Sequence, residues 1–82
     1  MQDDIKTRVF RAITQVMAVP IEQVNIESSP DNIAAWDSLK HMSLVFALEE
    51  DFDLKFTDDQ IIAELLSAGM IIGVIEKIVG DY

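Results

Sequence analysis

The sequence predicts an all-α fold: a small four-helix bundle with a long loop between helices 1 and 2 and a short third helix. Three observations carry that prediction. Apolar residues recur at a helical period on both sides of residues 20–37, which marks amphipathic helices rather than strands. Turn formers collect inside that stretch, around Ser28, Ser29, Pro30, Asp31 and Asn32, which marks the connection. The chain has 82 residues, 50% hydrophobic and 26% charged, so residues 1–82 form a single domain with a modest core and are not disordered.

In the first helix Ile5, Val9, Ile13 and Val16 fall on one face. Asp3 or Asp4 can cap its first turn, where a negative charge also suits the helix dipole. Lys6, Arg8 and Arg11 lie away from the apolar stripe, and Pro20 disfavours helix at Val19 and so ends the segment. The loop 20–37 holds Ile21, Val24, Ile26, Ile33 and Trp36. A connection of that length is expected to pack on the core, with little regular structure beyond a turn or two.

The second helix runs from Ser38 to about Asp51, capped by Asp37 or Ser38. At about 100° per residue, Leu44 and Leu48 share one side, flanked by Val45 and Ala47. Leu39, Met42 and Phe46 form a second stripe on roughly the opposite side. A helix in so small a bundle buries one broad face. Either Ile33 and Trp36 cover the second stripe, or it is left for a partner. Thr57-Asp58-Asp59 starts the third helix, which carries Ile61, Ile62 and Leu65. Ser67 caps the fourth, with Ile71, Val74, Ile75 and Ile78 inward and Gly80 past its end. Leu44, Leu48, Phe52, Ile61, Leu65, Ile71 and Ile75 are the expected core or cavity lining.

Composition excludes several functions. Six Lys and Arg against fifteen Asp and Glu give a formal net charge of −9, a field that repels nucleic acid and anionic membranes and attracts basic proteins. There is no Cys and one His, His41, so thiolate and multi-histidine metal sites are out of reach. No apolar run is long enough to span a bilayer. The opening Met1-Gln2-Asp3-Asp4 lacks a signal-peptide layout, so a cytoplasmic monomer is expected. A chain this short is not expected to be an enzyme. Trp36-Asp37-Ser38-Leu39 lacks the glycine of the Gly-Asp-Ser-Leu hydrolases, and His41 sits on the same helix as Ser38, a poor triad geometry. Asp51-Phe52-Asp53-Leu54-Lys55 has Lys, and then Phe56, where a calcium loop requires an oxygen ligand and Gly.

Ser38 stands at a helix start, where backbone amides and the dipole favour an anion. His41 lies near the Leu44 and Leu48 side, either as a partly buried hydrogen-bonded residue or at the edge of a cavity between the second and third helices. Asp37-Ser38-Leu39, followed at fixed spacing by Leu44-Val45-Phe46-Ala47-Leu48-Glu49-Glu50-Asp51-Phe52, resembles the acyl carrier protein family. The similarity extends over essentially the whole chain, to the Ile-rich last helix.

The resemblance implies that Ser38 carries a covalent 4′-phosphopantetheine arm taken from coenzyme A. Asp37 and Leu39 would then be read by the phosphopantetheinyl transferase that installs it. It implies a carrier that holds acyl groups as thioesters, receives them from an acyl- or aminoacyl-loading enzyme, and delivers them to downstream enzymes with basic docking patches. Met42, Phe46, Glu49 and Glu50 would form the docking surface, and His41, Leu44, Leu48, Ile61 and Leu65 the cavity edge. A peptidyl carrier shares this pattern, and a helical interaction module would keep the apolar stripe with Ser38 unmodified. Ala35-Trp36 stands where general fatty-acid carriers have a small pair, and Lys40 and Ser43 where they tend to have acids. These departures imply a dedicated pathway, and His41 at the cavity edge implies a short or polar cargo.

Overall fold

Residues 4–80 are described by the computed structural model. Helix α1 (Ile5–Met17) starts where Asp4 Oδ1 accepts the Thr7 amide at 2.8 Å, a side-chain cap for a donor the helix cannot satisfy itself. Hydrogen bonding from Thr7, helped by Lys6, holds the Asp4 carboxyl below its ordinary range. Asp3, the other candidate cap, lies outside the described residues. Pro20 does not end the helix. Ala18 does, two residues earlier, by turning left-handed at φ 58° and ψ 44°. Pro20 instead opens a single tight turn, Ile21–Gln23.

Val9 and Ile13 are buried, Ile5 and Val16 are half-buried, and Ala12 and Met17 join the core beside them. Arg8 does not face open solvent as its place off the stripe suggests. Its Nε bonds Asp51 Oδ2 at 3.0 Å, its Nη2 bonds the Asp51 carbonyl at 2.6 Å, and the guanidinium lies over the Phe52 ring.

The long loop packs by a mixture of plugs and staples. Val24, Ile33 and Trp36 are buried, whereas Ile21 and Ile26, expected to pack as well, are more than half exposed. Ser28 is buried and accepts the Asn25 amide on Oγ at 2.9 Å, while the Asn32 amide group bridges Ser29 N and Glu27 O. These bonds answer the backbone needs that a strandless segment would otherwise leave open.

Helix α2 (Ser38–Phe52) is capped by Asp37, whose Oδ1 accepts the Lys40 amide at 2.8 Å. It ends at Asp53 in the left-handed region, whose amide returns to the Glu49 carbonyl. The third helical segment, Gln60–Glu64, is wound wider than an α-helix and starts with a reciprocal cap. Thr57 Oγ1 accepts the Gln60 amide at 3.1 Å, and Gln60 Oε1 accepts the Thr57 amide at 2.9 Å.

Helix α3 (Ala68–Ile75) is the fourth helical segment. Ser67 Oγ caps Met70 N, and the loop carbonyls of Ser28 and Ile26 take the amides of Ala68 and Gly69 at 2.8 and 2.9 Å. The loop therefore closes the start of the last helix. The chain continues as a wide turn, Glu76–Gly80, so Gly80 belongs to that turn and does not lie beyond it. Widening also rotates Ile78 off the inner face, leaving it exposed, while Ile71, Val74 and Ile75 are buried as expected.

Helix α1 packs against both α2 and α3. The core between them holds Val9, Ile13, Leu44, Val45, Leu48, Leu65, Ile71 and Ile75. Phe56 completes it from the α2–third-segment connection, and Phe52 and Ile61 are only half-buried at its edge. Among the described residues no helix is long and apolar enough to cross a membrane.

Candidate functional site

The Asp37 cap settles where Ser38 sits. Because Asp37 is the residue before the helix, Ser38 is its first residue, and its hydroxyl is not needed to cap it. Of the donors at the helix start, Asp37 N bonds the Ala35 carbonyl, Lys40 N the Asp37 carboxylate, and His41 N the Asp37 carbonyl. The amides of Ser38 and Leu39 are outside these bonds and border an exposed hydroxyl, an arrangement suited to an anion on that oxygen.

Ser38 also lies on the rim of a cleft of about 520 Å³. One wall comes from the loop and the start of α2, through Pro30, Trp36, Asp37, Ser38, His41 and Met42. The other comes from Ile61, Ile62 and Leu66 at the third segment. Ile62 is 73% exposed and Leu66 is also exposed, so the lining is apolar surface that the fold does not cover. Uncovered contiguous apolar surface costs solvation and marks binding surfaces.

His41 adopts both forms the sequence leaves open, half-buried with partners and lining this cleft. Its Nδ1 accepts the Trp36 indole Nε1–H at 3.0 Å, and its Nε2 lies 3.2 Å from the Ile61 carbonyl. Indole can only donate, so Nδ1 is the acceptor and Nε2 carries the proton donated to Ile61. The two rings stack at 6.2 Å with 23° between planes.

The residues picked as docking surface divide. Met42 lies in the cleft wall with Ser38 and His41, not on an outer face. Phe46, 61% exposed, lines a separate shallow groove of about 390 Å³ with Glu49, Glu50, Asp53, Leu54 and Lys55. Glu49 is no free rim acid. Its side chain is only 12% exposed, its Oε2 accepts the Phe56 amide at 3.0 Å, and Lys55 stands 3.9 Å from its Oε1. Leu39 is 76% exposed, and Ile33 and Trp36 turn into the core instead of covering it. The second stripe of α2 is thus open at Leu39 and Phe46.

The expected cavity edge is corrected in the same way. Ile61 and His41 line the cleft, but Leu44, Leu48 and Leu65 are fully buried in the core. The 3.6-residue period puts Leu44 and Leu48 on the His41 side of α2 but does not show which residues of that side reach the opening. Pro30, Trp36, Ile62 and Leu66 were not among the site residues. Residues one apart stand about 100° apart on a helix, and here Ile61 is half-buried while Ile62 is left exposed. Lys40 turns back to α1, its Nζ 3.3 Å from the Val16 carbonyl. No protein-family model matches the chain.

Proposed function

We propose that this chain is an acyl carrier protein of a dedicated biosynthetic pathway, a cytoplasmic monomer with no catalytic residues of its own, and that Ser38 is its attachment point. The observation that carries the reading is an exposed serine hydroxyl at the first residue of α2, on the rim of an apolar cleft, within the Asp37-Ser38-Leu39 motif. The residues present fit a 4′-phosphopantetheine group. The hydroxyl is reachable and not engaged as the helix cap, and the amides of Ser38 and Leu39 suit a phosphodiester. The cleft begins where an attached chain would leave the serine.

When bound, that group supplies a thiol able to hold an acyl chain as a thioester. The protein's own residues do the rest. Asp37 holds the helix start, one carboxylate oxygen accepting the Lys40 amide. Leu39, exposed beside Ser38, is available to a phosphopantetheinyl transferase. Phe46, with Glu50 and Asp53 around it, forms an apolar spot with an acidic rim, the anatomy of a protein interface. With a net charge of −9, it favours loading and acyl-using enzymes that present basic patches. Tethering raises the cargo's effective concentration at a docked active site. The reading is tested by incubating the protein with coenzyme A, magnesium and a broad-specificity phosphopantetheinyl transferase and weighing it intact.

A further inference from the structure

The His41 ring has a consequence for what the cleft can hold. It bridges three parts of the chain: the loop end through Trp36, helix α2 through its own backbone, and the third segment through the Ile61 carbonyl. Both ring nitrogens are committed, one as acceptor and one as donor. The ring therefore shows a ligand its face and edge but no spare hydrogen-bonding atom. Leu44, Leu48 and Leu65 are fully buried and are not part of the cleft lining, so the ring and not these leucines faces a group in the cleft.

We infer that His41, latched between Trp36 and Ile61, is the specificity-determining residue of the cleft and confines what Ser38 carries to a short, unsubstituted hydrocarbon group. The inference rests on the carrier reading and sharpens it. Of the short or polar cargo that a histidine here suggests, the geometry selects the short and apolar one. A polar group packed against Trp36, Met42, Ile61 and Leu66 would meet apolar side chains and no free nitrogen of His41, which is unfavourable where it loses water. A long chain would have to break two hydrogen bonds to move inward, or run out into solvent along the open side.

The test does not require the transferase. Because the chain has no Cys, Ser38→Cys gives a single tether. It can be joined to methyl, butyl, octyl and dodecyl groups with alkyl methanethiosulfonates. Two quantities are read: the melting temperature, and the Trp36 indole proton with its His41 Nδ1 partner by NMR. The expected result is a melting temperature that rises from methyl to butyl and levels off by octyl. The Trp36–His41 hydrogen bond should persist throughout, and a butyl group ending in a hydroxyl should give no rise.

In Ser38→Cys, His41→Ala the rise should continue through dodecyl. If that double variant does not fold, the series with His41 in place decides alone. The inference is overturned if no chain stabilises the protein, or if stability climbs through dodecyl with His41 present. It is also overturned if long chains break the Trp36–His41 bond, or if the hydroxyl-ended chain stabilises as much as butyl. Failure here with Ser38 still accepting the arm removes the latch alone. Success here with Ser38 refusing the arm removes the carrier reading and leaves only the cleft's preference for short apolar groups.

Discussion

At the residue scale, Asp37 and Ser38 are neighbours with separate tasks. Asp37 satisfies a helix amide through its side chain, and Ser38 contributes a hydroxyl that the fold does not use as a cap. Asp37→Ala should therefore destabilise the protein by about 0.5–2 kcal/mol, the usual cost of losing such a cap. Ser38→Ala should change stability by no more than about 0.5 kcal/mol, as for an exposed position outside any cap or core contact. Urea denaturation of both variants distinguishes the roles. Equal losses would mean that the serine is structural.

The motif was readable as a tripeptide, and the choice of cap between its first two residues was not, because both residue types cap well. His41 was readable as an inward-leaning ring. Its two partners lie on a loop and on a segment whose placement no local pattern encodes.

At the element scale, the long loop and α3 form one unit, since loop carbonyls occupy the first amides of that helix. Gly69 lies at this seam. A Cβ added there would come to 3.0 Å from the Ile26 carbonyl oxygen, a backbone atom already held by the Gly69 amide. A Cβ on Gly73 would meet nothing within 4 Å. Gly73→Ala should stabilise the protein by about 0.5–1 kcal/mol through helix preference and the entropy of the unfolded chain. Gly69→Ala should destabilise it, because the loop must shift. Thermal melts of the pair check the opposite signs, and a gain from both would show that the seam is loose.

Helix existence was legible from period and caps in α1, α2 and α3. The places where it failed share a cause. Ala18 takes a left-handed turn, and the last turn widens at Glu76–Gly80, both backbone choices made by packing and not by side-chain period. The loop's plugs were half legible. Val24, Ile33 and Trp36 bury, but Ile21 and Ile26 have the same chemistry and stay out. Only the three-dimensional path of the chain separates them.

At the scale of the whole molecule, charge and uncovered apolar surface act together. The net charge is −9, and between Asp37 and Glu64 eight acids face only Lys40 and Lys55. Exposed ion pairs such as Arg8–Asp51 contribute little and weaken with salt. Mutual repulsion among the acids is the larger effect, and salt screens it too. The melting temperature should rise as salt is added from low ionic strength, and a fall would contradict this balance. On the carrier proposal, the same acids suit encounter with enzymes that present basic patches, and Leu39 and Phe46 offer exposed apolar surface beside them.

The carrier account depends above all on whether Ser38 accepts a phosphopantetheine group. The most direct measurement is the intact mass after transferase treatment, with the added mass then mapped by peptide fragmentation. The account predicts a single addition of one arm, located on Ser38 and absent from Ser38→Ala. A protein that keeps its unmodified mass under conditions that load a known carrier, or that is modified elsewhere, would contradict it.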